Sequence, residues 1–394
     1  MSAQLSNRVQ QIKPSPTLAI TSKAAELRAA GQDIIGLGAG EPDFDTPEHI
    51  KQAAVDALNA GRTKYTPVDG TPELKDAIIE KFQRDNDLAY ERNQILVSCG
   101  GKQSFFNLAL ALLNPGDEVI IQAPYWVSYP DMVKVAEGTP VILESSAQTA
   151  FKVSAEQIRN ALTERTRLVV LNSPSNPSGK AYSRDELAAI GEVLEERPDV
   201  MIATDDMYEH ILWNGEFVNI VNATPSLKDR TFVLNGVSKA YSMTGWRIGY
   251  AAGPAEVIGA MKKIQSQSTS NPASISQAAA TAALNGPQDC VGEMLKAFRE
   301  RHDYVVNALN QLPGVECIES DGTFYAFPGF QGAIEATPGV SNDQELAEHL
   351  LQEAGVALVP GSAFGTPGHM RLSFATSMEN LENAIERLGK VLKT

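Results

Sequence analysis

Apolar positions fall along this chain in two rhythms. From Gln94 onward, short runs rich in β-branched residues recur: Ile95 to Ser98, Glu118 to Gln122, Val141 to Glu144, Leu168 to Leu171, Val200 to Ala203, Phe232 to Leu234 and Ile248 to Ala251. Between most of them lie longer stretches with apolar residues at helical spacing, as in Phe105, Leu108, Ala109 and Leu112. Strands that read as continuous apolar runs are buried on both faces. Their alternation with helices predicts an α/β fold, a three-layer α/β/α domain around a mostly parallel sheet. After about Gly286 the pattern changes to a long helix (Glu293 to Leu312), a β-rich stretch and a C-terminal helix, which predicts a smaller α+β domain.

The first residues read differently. Pro14 and Pro16 predict a stiff, extended arm. Ser22 to Ala30 predicts a helix ending at Gly31, and Ile34 to Leu37 a strand. Thr46 and Pro47 open a helix that runs to Gly61, and Thr71-Pro-Glu-Leu caps the next. A chain of 394 residues exceeds the roughly 250–300 that one core supports. The expected division is 1–45 (arm and part of the small domain), 46–290 (large domain) and 291–394 (small domain).

Charge and composition narrow the chemistry. The formal charge is -15, which argues against a nucleic-acid partner, since binding phosphates in bulk needs excess Lys and Arg. Cys99, Cys290 and Cys317 show neither a disulfide framework nor zinc spacing, and the histidines are scattered. There is no signal-like N-terminus and no run of about 18 apolar residues. The expectation is a cytoplasmic protein without metal or membrane partner.

In open parallel sheets ligands bind beyond the carboxyl ends of the strands. The residues just after each predicted strand are therefore informative. Gly36-Leu-Gly-Ala-Gly-Glu-Pro fails the dinucleotide fingerprint at Glu41 and Pro42. Gly100-Gly-Lys-Gln opens a helix and offers backbone N–H groups to an anion, although it is no Walker loop. Trp126 comes after the next strand and can stack on a planar ring, or simply belong to the core. Asn176 lies in a Pro-rich turn, where its amide can donate to a ligand or only shape the turn. Asp205, with Tyr208, ends a buried strand, where a carboxylate needs a partner. Lys239 sits on a tight turn after Phe232 to Leu234. Burial there would lower its pKa and free the amine for Schiff-base chemistry. Arg247, eight residues on, can clamp a phosphate. An anion cradle, an aromatic plate, an amide, an acid with a phenol, and an amine on one sheet edge fit a phosphorylated heteroaromatic aldehyde such as pyridoxal 5′-phosphate.

These residues also carry a resemblance. Ser238-Lys-Ala-Tyr-Ser-Met-Thr-Gly-Trp-Arg-Ile-Gly, with Asn176-Pro-Ser-Gly, Ala39-Gly-Glu-Pro-Asp-Phe and Arg371-Leu-Ser-Phe-Ala, resembles the class I aminotransferases of the pyridoxal-phosphate fold type I. Within that family the likeness is to bacterial aspartate aminotransferases that carry Gly-Gly-Lys-Gln, some of which also act on prephenate or aromatic substrates. The resemblance implies that Lys239 binds the cofactor and shuttles the proton. It pairs Asp205 with the pyridine nitrogen, Tyr208 and Asn176 with the phenolic oxygen, and Trp126 with the ring face. Gly101 and Lys102, through their backbone, with Ser238 and Arg247 would hold the phosphate, helped by Tyr65 from a second subunit of a homodimer. Arg371 and Gly40 would take the substrate α-carboxylate, and Lys102, Ser15 and Thr17 its distal carboxylate, with Lys13 nearby. Trp126 and Asn176 would touch substrate as well. The chain departs from some relatives at Gly236, where they have a phosphate-binding serine. The implied reaction moves an amino group, most simply from aspartate, to 2-oxoglutarate by a ping-pong route. A C–S β-lyase using the same cofactor is the alternative chemistry, and the paired anion sites Arg371 and Lys102 weigh against it. A non-catalytic regulator would need an added DNA-binding segment, for which the chain offers no room.

Overall fold

A computed structural model describes residues 4–392, apart from 13 and 15. Its centre is a seven-stranded sheet: β1 (Ile95–Ser98), β2 (Glu118–Gln122), β3 (Thr139–Leu143), β4 (Thr166–Asn172), β5 (Met201–Asp205), β6 (Thr231–Gly236) and β7 (Gly249–Ala252). The spatial order is β1-β7-β6-β5-β4-β2-β3. β7 runs antiparallel to both neighbours, and every other adjacent pair is parallel. Period-two geometry sorts the buried strand residues to opposite faces. Ile95, Val97, Ile120, Val169 and Leu171 join helices Glu48–Asn59, Pro72–Asn86 and Arg184–Glu195 in one core. Leu96, Val119, Ile121, Leu168 and Val170 join Phe105, Leu108 and Met261 in the other. The expected three layers are present.

A separate core gathers Ile35 and Leu37 with Phe298, Leu309, Phe324, Leu350, Leu372 and Leu388. Ile35–Gly36 pairs in parallel with Val356–Ala357. The start of the chain thus shares a core with its last hundred residues. Among the described residues, no helix is long and apolar enough to cross a membrane.

Several boundaries shift from expectation by a residue or more, and three of the shifts are instructive. The strand expected from Val141 begins at Thr139 and includes Pro140. It lies at the sheet edge, where a missing N–H is tolerated. The helix expected from Ser22 begins at Pro16, so proline there opens the helix rather than extending the arm. The helix expected at Glu293 to Leu312 spans Asp289–Leu309. Asn310 ends it, donating to the carbonyls of Val306 and Cys317 (3.0 and 2.9 Å) and accepting from the Cys317 N–H (2.8 Å).

Candidate active site

Register brings the functional side chains together. Asn172 at the end of β4 pairs with Asp205 at the end of β5, and Asp205 with Leu234 of β6. Three turns therefore leave the sheet at the same edge. The Asn172 amide donates to the Asp205 carbonyl (3.0 Å), and its oxygen accepts from the Asn176 N–H (2.9 Å). Asp205 turns its carboxylate into the cleft above, where it accepts from the Tyr129 hydroxyl and from the Met207 N–H at 3.2 Å.

The turn between β6 and β7 is bounded by two glycines. A Cβ on Gly249 would lie 2.2 Å from the Gly101 nitrogen, so only glycine lets helix Gly101–Leu112 start directly on the sheet. At Gly236 a Cβ would stand 3.0 Å from both Gly249 Cα and the Ile248 carbonyl. The departure at this position is thus tied to close backbone packing. Arg247 adopts a left-handed conformation (φ 58°) at the end of the turn Thr244–Trp246. Its guanidinium donates to the Thr244 carbonyl at 2.9 Å and lies against Gly100.

One cleft of about 240 Å³ collects most of the expected residues. Gly101, Lys102, Ser238 and Arg247 line it together with Trp126, Asn176, Asp205, Tyr208 and Lys239. Thr17, Gly40 and Arg371 line it too. Tyr65 does not line it. That side chain is 93% exposed and borders a separate hollow with Arg62 and Ser274. Lys13 and Ser15 lie outside the described residues. Six further lining residues are not among those expected: Val127, Ser128, Tyr129, Asn172, Met207 and Tyr325. Asn172 is detectable as the polar residue directly after a strand run. Nothing in the sequence marks the others.

Arg371 is 2% exposed and held from several sides. Its guanidinium donates to Asn176 Oδ1 (2.9 Å) and the Gly38 carbonyl (2.7 Å) and lies over the rings of Tyr325 (4.5 Å) and Phe364 (5.0 Å). Its Nε is buried without a partner, which suits a carboxylate ligand. With Asn176 Oδ1 engaged, the amide NH₂ of Asn176 remains as the donor. The Tyr208 and Tyr325 hydroxyls meet at 3.0 Å. The Lys102 ammonium sits 5.1 Å from the Trp126 ring centre.

Electrostatics set the protonation states. Lys239 and Asp205 both line the cleft and are only partly exposed. Burial, reinforced by Arg371 and Arg247, pushes the Lys239 amine down to about 8 against the pull of Glu41 and Asp205. Its ammonium form donates to the Gly40 carbonyl. Burial pushes the Asp205 carboxyl up, opposed by Tyr129, Met207 and Lys239. Burial keeps the Tyr129 and Tyr208 phenols protonated. Below pH 8 the ammonium has no lone pair, and above it the amine is a nucleophile. In cofactor-free protein, acylation of Lys239 should therefore rise with pH to a midpoint near 8 and then level off. Mass spectrometry of labelled peptides measures this. A midpoint at the ordinary lysine value of 10.5 would contradict a lysine depressed by burial.

One sheet-edge cleft thus holds a lysine with a depressed pKa, an enclosed acid and two arginines, the equipment of an enzyme that works on amino groups. Residues 32–388 match the family model described as aminotransferase class I and II. The chain belongs to that family and is an aminotransferase. It is 60% identical to the aspartate/prephenate aminotransferase of Nitrosomonas europaea, covering 99% of this chain and 100% of that protein. The aspartate aminotransferase structure from Rhizobium meliloti superposes with a TM-score of 0.96 at 52% identity, over 99% of each chain. The Thermus thermophilus aspartate aminotransferase with maleate gives 0.93 at 45%, over 99% of this chain and 100% of that one.

Proposed function

We propose that this enzyme is a pyridoxal-phosphate-dependent homodimer that transfers the amino group of aspartate to 2-oxoglutarate, working in the cytoplasm. The observation that carries the substrate class is a pair of cations lining one cleft, Arg371 and Lys102. A dicarboxylic amino acid has a charge for each. Relatives named for aspartate, and a maleate-containing structure among them, support the same reading.

The donor set fits pyridoxal 5′-phosphate. The N-terminal N–H groups of helix Gly101–Leu112, the Ser238 hydroxyl and Arg247 offer neutral and charged donors to a phosphate. Asp205, destabilised by burial, is the natural partner of a cationic ring nitrogen. Asn176 and Tyr208 supply donors for a ring oxygen. Trp126 offers a ring face. Tyr65, outside its own chain's cleft, would serve the phosphate in the second subunit. Bound here, the cofactor supplies a carbonyl to receive the amino group and a ring that accepts electrons.

The chain's own groups do the rest. Arg371 fixes the α-carboxylate by a two-toothed contact and so orients the Cα–H. Lys239, uncharged above about pH 8, would take the Cα proton as general base and then give it back as general acid. Lys102, with Thr17 and, on the family likeness, Ser15 and Lys13, meets the distal carboxylate. Prephenate is a 2-oxo acid with a second carboxylate, so the same two cations suit it as an alternative acceptor. The name of the Nitrosomonas relative favours that second reading.

Purified protein with aspartate and 2-oxoglutarate should form glutamate and oxaloacetate in equal amounts. Absence of glutamate from protein that retains its near-visible band would overturn the assignment. Substitution of prephenate for 2-oxoglutarate tests the second reading in the same assay. Arg371→Lys should lower kcat/KM by about 100-fold or more, since two charge-assisted hydrogen bonds are replaced by one. Most of the loss should fall on KM, with the cofactor band unchanged.

A further inference from the structure

One residue past Tyr208 of the cleft begins a buried polar array that the reaction does not touch. Glu209, next to Tyr208, is 6% exposed. It forms an ion pair with Lys81, which is 1% exposed on helix Pro72–Asn86. Its second oxygen accepts from the Asn86 amide at 2.8 Å. Its first also accepts from the Asn235 amide at 2.8 Å. Asn235, the penultimate residue of β6, accepts in turn from the Gly236 N–H at 2.7 Å. Lys81 closes the circle by donating to Asn86 at 2.7 Å. His210 lies 3.3 Å from the carboxylate and 3.5 Å from Asp85, and Asp206 is hydrogen-bonded to Thr204 and Asn219. Lys81, His210 and the hydrogen bonds outweigh burial and keep Glu209 ionised.

Stability alone does not account for this array. A buried ion pair adds little over a well-packed apolar pair. Its connections are more informative. On one side Glu209 belongs to the loop that carries Asp205 and Tyr208. On the other it holds Asn235 and, through it, the backbone of Gly236. The next residues are Val237, Ser238 and Lys239. Glu209 is thus a buried tie between the acid-bearing loop and the lysine-bearing turn, in addition to the Ser238–Met207 contact. We propose that Glu209 is a positioning residue, which through Asn235 fixes Ser238 and Lys239 relative to Asp205 and Tyr208. The proposal rests on the roles given to those four residues above.

Two variants separate positioning from mere support. Asn235→Ala cuts the tie to the lysine turn and leaves the Lys81–Glu209 pair in place. Asn86→Ala removes a buried hydrogen bond to the same carboxylate on the helix side. Both should lower the melting temperature. Only Asn235→Ala should lower kcat, by about tenfold or more, with KM nearly unchanged. Only Asn235→Ala should shift the pH midpoint of Lys239 acylation in cofactor-free protein. That labelling needs neither cofactor nor substrate, so its outcome is separate from the aspartate assay on wild-type enzyme. Asn235→Ser keeps a polar group near Gly236 but is too short for Glu209, and gives the same readouts if the alanine chain does not fold. Equal kcat losses in the Asn86 and Asn235 variants, or an unmoved Lys239 midpoint in the Asn235 variants, would overturn the proposal.

Discussion

Lys239→Ala is expected to abolish transamination, lowering kcat by about 10⁴-fold or more. General acid–base transfer alone contributes about 10²–10⁴, and the covalent hold on the cofactor is lost as well. The near-visible absorption band should disappear with it, because no other lysine in the cleft is placed to replace it. Lys102 lies beside Trp126 and also has a lowered pKa, from burial and then Arg247. A band retained in Lys239→Ala would implicate that lysine instead. Fold stability should move the other way. The folded pKa of Lys239 lies below its unfolded value, so the unfolded chain binds the extra proton more readily. The ammonium therefore disfavours the fold fully below about pH 8. That penalty fades as pH rises toward 10.5, the unperturbed value. Cofactor-free Lys239→Ala should melt no lower than cofactor-free wild type at neutral pH. A large drop in melting temperature would mean that the inactivity reflects misfolding rather than lost chemistry.

That this lysine can be named from sequence has a physical cause. Each strand of the large sheet is an apolar run, and a polar or glycine-rich turn comes directly after most of them. Parallel strands in one sheet share a carboxyl edge, so the residues just past each run are the candidates. Gly101, Trp126, Asn176, Asp205 and Lys239 stand out in that way, and they line one cleft. Arg371 lies in a short strand of the second core. Only the family likeness singles it out, since one buried arginine has no local signature. Tyr129 and Tyr325 escape notice for a related reason. Both are fully buried, and a buried tyrosine reads as core until its hydroxyl is seen to meet Asp205 or Tyr208. Glu209 is hidden in the same way. Its ties run to residues 26 and more than 100 positions away, which no local pattern encodes. Tyr65 marks another limit, because its proposed role needs a second copy of the chain.

Asp205→Ala is expected to lower kcat by about a thousandfold, the scale set by removing a preorganised charge from a buried site. Asp205→Asn should do nearly the same while preserving shape, since an amide cannot hold a cation on the ring nitrogen. Cofactor should still attach to Lys239 in both, so the band persists although its turnover is lost. Tyr129→Phe makes a sharper test of how the acid is kept ionised. Burial raises the Asp205 carboxyl, and the Tyr129 hydroxyl is the first influence that lowers it again. Removing that hydroxyl should raise the carboxyl pKa further. The ionised form would then be lost at higher pH, so the acidic limb of the kcat profile should move upward in Tyr129→Phe. At alkaline pH the variant should approach wild-type turnover. Asp205→Asn has no carboxylate to recover and should stay slow at every pH. A Tyr129→Phe profile that is merely scaled down, with its acidic limb unmoved, would show that the tyrosine packs against Asp205 without controlling its charge.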